Sequence, residues 1–384
     1  MLVPLRPILD ATEEYDYAEG AFNVNAVAQA EAVIEIHELF RSPAILQGAD
    51  LANGFMGGRA DFMNATVEDK IRGARNIGVA VKRLAKDSPV PVALHLDHGR
   101  DFASVKAAIE GGYTSVMIDG SSLPFKENID LTREVVKYAH ERGVTVEGEL
   151  GVLAGVEDHV FSAGSTYTNP LDAIEFFRKT KVDALAISYG TMHGANKGKS
   201  PAVRKEIAIA VKECMMHNGI KGVLVSHGSS TVPKYIVDEI NALGGNIHGA
   251  NGIPLAQLKE VSHCGIGKIN VDTDIRLAVT RNIREYFVNN PGEKENPEIK
   301  AIWELMDSNP AAFDPRFYLP PIMDTLMYGN IPNDGVRKIT ELMKAGVKEV
   351  VGRLIVEFGQ VGKAPKVVLK TLDEMAEIYR KEGI

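Results

Sequence analysis

Short apolar, β-branched runs recur along the chain, and longer segments with helical spacing separate them. The runs are GAFNV (20–24), PAILQG (43–48), VPVALHL (90–96), SVMID (115–119), TVEGEL (145–150), ALAISY (184–189), GVLVSH (222–227) and KINVD (268–272). They read as continuous apolar strands, the pattern of a parallel sheet covered on both faces. Between them, Ala26 to Phe40 places Ala30, Val33, Ile34 and His37 on one helical stripe. Asp101 to Glu110 and Ile129 to Arg142 are further helices, the latter stopped by Gly143. Eight strands alternating with helices predict a (β/α)8 TIM barrel within the α/β class, favoured over an open doubly wound sheet by the strand count. Beyond about Arg276 the pattern turns mostly helical. The reading is a single domain over 1–384, with a barrel to about 290 and a helical extension over 291–384 that serves oligomer contacts.

Most strands share a polar tip: Asn23 and Asn25, Gln47, Asp97 and His98, Asp119, Glu147 and Glu149, His193, His227, then Asn270 and Asp272. Titratable groups gathered at one end of a barrel are what an active site at the C-terminal face requires. Composition narrows the partners. The net charge of −8 with no basic block argues against nucleic acid. The two cysteines, Cys214 and Cys264, form no zinc-ribbon or disulfide framework. No apolar run reaches the length of a membrane helix, and the N-terminus, broken by Pro4, Pro7 and acidic residues, is not a signal peptide. A cytoplasmic protein acting on a small molecule is expected.

Three histidines, His98, His193 and His227, each follow an apolar run and precede a glycine. Converging at one barrel face, they suit a zinc ion with an open position. Asp97 beside His98 is placed to move a proton at a group the ion polarises. Alternation sends the two to different sides, so the backbone must turn at this tip, which Gly99 permits. Glu147 and Glu149 share one strand face and can serve as ligands or a proton relay. The glycine-rich segment after them has the composition of a lid, with Glu157 riding on it. HGANKG and HGSS offer backbone N–H groups, Lys197 and hydroxyls to a phosphate. His95 reads as a packed core residue, and His37, His140 and His217 as helical surface residues.

Together HLDHG, SVMIDGSSLPFKENI, VTVEGELG, GTMHGANKG, LVSHGSSTVP, INVDTDIRLA and DPRFYL resemble the class II, metal-dependent fructose-bisphosphate aldolase family, which includes tagatose-bisphosphate aldolases. The resemblance covers nearly the whole chain, in order, and the tail is most similar to the longer Calvin-cycle subgroup. It implies cleavage of fructose 1,6-bisphosphate to dihydroxyacetone phosphate and glyceraldehyde 3-phosphate through a metal-stabilised enediolate. His98, His193 and His227 would be the Zn2+ ligands, with Glu149 beside them. Asp97 would move the C4 hydroxyl proton, and Glu157 would be the acid/base at the enediolate carbon. Gly194, Lys197, Gly228 and Ser230 would hold one phosphate. Asn270, Asp272 and Thr273 would line the sugar, and Arg316 would reach the far phosphate from a neighbouring subunit of a homodimer or homotetramer. A monovalent cation, K+ or Na+, can assist near the phosphate. The chain departs from the family pattern at Ala49, where a serine is usual, at Met192 and Asn196, and in extra sequence around Met323 to Lys344. A metal-dependent hydrolase and a non-catalytic sugar-phosphate sensor are the alternatives from other classes.

Overall fold

The computed structural model describes residues 1–153, 155–157, 160–162, 166–197 and 203–383. Eight parallel strands close into a barrel: β1 (Glu19–Asn23), β2 (Ala44–Ala49), β3 (Val92–Gly99), β4 (Ser115–Ile118), β5 (Thr145–Leu150), β8 (Ala184–Ile187), β9 (Val223–Ser226) and β10 (Ile266–Val271). Closure runs through β1 and β10, where Glu19 to Phe22 pair with Lys268 to Val271. These are the eight apolar runs of the sequence, in chain order. Strands β6 (Gly155–Glu157) and β7 (Val160–Ser162) form a separate antiparallel hairpin within the expected lid.

Side chains alternate across each strand. One set packs outward on the helices. The other fills the barrel with Ala21, Ile45, Ala93, Met117, Ala186 and Val225, alanines alternating with larger residues to fit the narrow interior of an eight-stranded barrel. The helix Arg6–Tyr15 closes the N-terminal end of the barrel, burying Leu5, Ile8 and Leu9 against this interior set. Sequence reading missed it. Pro7 falls in its first turn, where proline fits a helix, rather than interrupting it.

The residues past 291 pack onto the barrel itself. The helix Asp334–Glu357 lies against Val27–Phe40 and Thr273–Asn289, filling the gap between the first and last helices of the outer ring. Lys344 bridges to Glu31 at 3.1 Å and Glu35 at 2.9 Å. The stretch from Met323 to Lys344 thus supplies the helix Met323–Tyr328 and the first half of that packing helix. The last helix, Leu372–Lys381, places Tyr379 flat on His140, with ring centroids 3.6 Å apart. Both side chains bond to Asp183. His140 and His37 are therefore buried, against the expectation of surface positions, while His217 is exposed. His37 packs on Phe22 and reaches Ser42 Oγ at 3.1 Å. Helical spacing could not reveal either partner, because the covering groups come from elsewhere in the chain.

Candidate active site

Strand alternation brings Asn23, Gln47, Asp97, Glu147, Glu149, Lys268 and Asn270 to the C-terminal half of the barrel interior, all buried. Neighbouring tips are in register: Asn23 stands beside Gln47, and Ala49 beside Asp97. Asp97 is gripped from three strands, the weakest bond coming from Gln47 Nε2 to Oδ2 at 3.4 Å. Asn23 Nδ2 donates to its Oδ2 at 2.9 Å, and Asn270 Nδ2 to its Oδ1 at 3.1 Å. Gln47 donates to Asn23 Oδ1 at 2.9 Å and orients that amide.

His98 should point outward by alternation, yet its ring lies at the mouth. The backbone achieves this at His98 itself, which takes a left-handed conformation with φ +49°. The β3–β4 register shifts at the same place, between Leu96 and Gly99. The turn expected at this tip is present, but His98 makes it; Gly99 has no positive φ and matters for space. A Cβ there would stand 2.4 Å from Met117 O. A non-glycine residue held left-handed costs energy and recurs at functional sites.

His98 Nδ1 pairs with Asp119 Oδ2 at 3.1 Å, and His227 Nε2 with Glu147 Oε1 at 2.7 Å. The remaining ring nitrogens, His98 Nε2 and His227 Nδ1, face each other across 3.1 Å. Two lone pairs so placed repel unless a cation lies between them, either a proton or a metal ion. Two nitrogens bound to one tetrahedral zinc stand roughly 3.4 Å apart. His193 is buried beside them, its ring centroid 5.1 Å from that of His98. Ligand atoms of Asp97, His98 and His227 lie within 4.8 Å of one another, as do those of His98, Asp119 and Glu149. Glu149 Oε2 is buried without a hydrogen-bond partner. These residues fit a divalent ion, with the carboxylate–histidine arrangement that orients metal ligands.

Negative charge surrounds His98. Burial opposes a charged His98, but the bond to Asp119 and the charges of Asp97 and Glu149 push its pKa well above the histidine range. Burial lifts the Glu149 carboxyl well above the carboxylate range, with Asp119 adding to the rise. Glu147 is as deeply buried, yet the Lys268 ammonium and His227 hold its pKa far below normal. Glu147 is thus committed to Lys268 and His227, whereas Glu149 has only His98, its Oε2 standing 3.8 Å from His98 Nδ1.

Gly194, Lys197, Gly228, Ser230, Asn270, Asp272 and Thr273 line one small cavity beside this cluster. The helix Thr273–Asn289 begins there, and Ser230 Oγ accepts from the N–H groups of Asp272 and Thr273. A helix N-terminus favours an anion. Gly194 and Gly228 both have positive φ, and a Cβ on Gly228 would stand 2.5 Å from Met192 O. Lys197 donates to the carbonyls of Met192 and Gly228, tying the two His-Gly loops together with a fixed positive charge. Asp274 anchors the second of these loops to the helix, accepting from the N–H groups of Thr231 and Val232.

Two expected residues stand apart from the cluster. Glu157 lies on β6, whose Gly155 pairs with His193, so its backbone runs beside the site; its side chain is outside the described residues. Arg316 is buried in its own chain, over the Phe62 ring and bonded to Asp314. Asp314 also takes Arg276 Nη1 at 3.0 Å, and Arg276 Nε donates to Asp272 at 2.8 Å. Sequence reading named Asn23, Gln47 and Asp119 as polar strand tips without giving them a role, and missed Arg276 and Lys268. Period-two spacing back from Asn270 would have found Lys268.

A closed parallel barrel with convergent imidazoles and carboxylates at its C-terminal mouth defines an enzyme of the TIM-barrel class. A family model described as fructose-bisphosphate aldolase class-II matches residues 3–246 and 246–363. The chain is 36% identical over 380 residues to a fructose-bisphosphate aldolase of Giardia intestinalis, covering 99% of each chain. It is 37% identical over 368 residues to one of Thermus caldophilus, covering 95% of this chain and 100% of the relative. Among solved structures, the YdjI aldolase from Escherichia coli K12 matches with a TM-score of 0.63 at 25% identity, over 95% of this chain and 100% of that one. The chain belongs to the class-II fructose-bisphosphate aldolase family, a family of lyases. No helix among the described residues is long and apolar enough to cross a membrane.

Proposed function

We propose that this chain is a zinc-dependent cytoplasmic aldolase that reversibly cleaves fructose 1,6-bisphosphate to dihydroxyacetone phosphate and glyceraldehyde 3-phosphate. The observation that carries the reading is the facing pair of ring nitrogens on His98 and His227, with the Asp97 carboxylate 3.8 Å from His227 Nδ1. His98, His193 and His227 would hold the ion, with Glu149 joining in some states. When bound, the ion polarises the substrate ketone and disperses the negative charge left as the carbon–carbon bond breaks.

The chain's own residues do the rest. Asp97 moves the proton of the C4 hydroxyl; Asn23 and Asn270 fix its two oxygens in advance, so little reorganisation accompanies transfer. Glu157 is the acid/base at the carbon next to the ketone. Gly194, Gly228 and Ser230 hold the dihydroxyacetone phosphate end through backbone N–H and hydroxyl donors, above the charge of Lys197. A K+ or Na+ ion at this end would compete with Lys197 for the carbonyls of Met192 and Gly228. Asn270, Asp272 and Thr273 line the sugar. Arg316 serves the far phosphate in a homodimer or homotetramer, whose contacts the helices over 291–384 supply within one 1–384 domain.

Detection of triose phosphate, set against release of inorganic phosphate, tests this. An aldolase yields triose phosphate and no inorganic phosphate; a hydrolase on the same histidines gives the reverse, and a sensor gives neither. Tagatose 1,6-bisphosphate differs at one hydroxyl and belongs in the same assay.

A further inference from the structure

Lys268 lies on β10 with its side chain fully buried inside the barrel. Its Nζ donates to Glu147 Oε2 at 3.0 Å and to Asn270 Oδ1 at 2.7 Å. Such a pair is a poor device for stability, because desolvating two charges consumes most of their attraction. The geometry shows what else it does. Glu147 uses its other oxygen to accept from His227 Nε2 at 2.7 Å. That places the imidazole proton on Nε2 and leaves Nδ1 as the lone pair facing His98. Asn270 is fixed in the same way. A primary amide fits equally well after a half-turn that exchanges its oxygen and nitrogen. Lysine only donates, so Lys268 holds the oxygen and turns the NH2 towards Asp97 Oδ1 at 3.1 Å. His95 backs the pair, its Nδ1 bonded to Ser115 at 2.7 Å and its Nε2 3.5 Å from Glu147.

We propose that Lys268 is a positioning residue which, through Glu147 and Asn270, sets both the tautomer of His227 and the orientation of the amide that holds Asp97. One ammonium thereby aligns the metal-facing nitrogen with the proton-moving carboxylate. This rests on the aldolase reading only where turnover is measured; tautomer and metal affinity stand apart from it.

The test uses full-length protein with 15N-labelled histidine. Metal-free wild type should show His227 protonated at Nε2. The charge-neutral double variant K268M/E147Q should fold, show a mixed or Nδ1-protonated His227, and bind zinc about 10–100-fold more weakly in chelator competition. Its kcat on fructose 1,6-bisphosphate should fall while KM stays within about twofold, since neither residue lines the phosphate cavity. Wild-type His227 protonated at Nδ1 would overturn the proposal. So would a folded double variant with zinc affinity and kcat within about twofold of wild type. Should the double variant fail to melt cooperatively, Glu147→Gln decides: weaker zinc binding supports the proposal, and unchanged binding overturns it. A protein that shows the tautomer and the zinc dependence on Lys268 yet cleaves no ketose bisphosphate sinks the aldolase reading and leaves the positioning role intact.

Discussion

His98 Nε2 faces His227 Nδ1 across 3.1 Å, and the other nitrogen of each ring is committed to a carboxylate. In the proposed function both histidines are metal ligands, so replacing either removes a ligand. His98→Ala and His227→Ala should each be purified with little zinc and lose at least about 100-fold in kcat, the scale of losing a metal that polarises substrate. Metal analysis beside steady-state kinetics checks this. Either variant with stoichiometric zinc and near-normal turnover would contradict the assignment.

Asp97→Asn keeps the shape and removes the proton-moving oxygen. With a general acid/base lost, kcat should fall by about 100- to 10,000-fold. Zinc content should stay at the wild-type level, because Asp97 is read as standing beside the ion. Loss of zinc with loss of activity would instead make Asp97 a ligand.

Gly228→Ala tests the phosphate loop. The position has φ +59°, and the added Cβ would stand 2.5 Å from Met192 O, so the two His-Gly loops must separate. The strain should cost on the order of 1–3 kcal/mol in denaturant unfolding. KM for the bisphosphate should rise by about tenfold or more, the loss of roughly one good phosphate contact. An unchanged KM would remove this loop from substrate binding.

Asp314 gives a pH signature. Burial alone would raise its pKa, but Arg276 and Arg316 bring it down to about 2. A carboxyl depressed in the folded state stabilises the protein above its unfolded pKa, and that contribution fades as pH falls through the folded one. The stability advantage of wild type over Asp314→Asn should therefore shrink by about 1 kcal/mol between about pH 5 and about pH 3. A constant difference would mean that the arginines do not hold the carboxylate.

The strands were legible because a covered parallel sheet needs apolar runs and a barrel mouth needs polar tips; GVLVSH shows both in six residues. That the backbone must turn at the tip of β3 was legible, because alternation would otherwise send Asp97 and His98 to different sides. Which residue takes the left-handed turn was not: it is His98 rather than a glycine. Lys268 was hidden for another reason. A lysine in an apolar strand reads as a surface residue until its partner Glu147, 121 residues away, is seen across the barrel. The N-terminal helix Arg6–Tyr15 escaped because its role, closing the barrel floor, exists only once the barrel does.

The central claim is that this barrel breaks the bond with a divalent ion and without a lysine adduct. The most direct measurement is cleavage of fructose 1,6-bisphosphate before and after EDTA, with zinc restored afterwards and borohydride added in a parallel sample. The account predicts triose phosphate formation that EDTA abolishes and zinc restores, with no mass added by borohydride. Cleavage that continues unchanged in EDTA, or a borohydride-trapped lysine adduct, would contradict it.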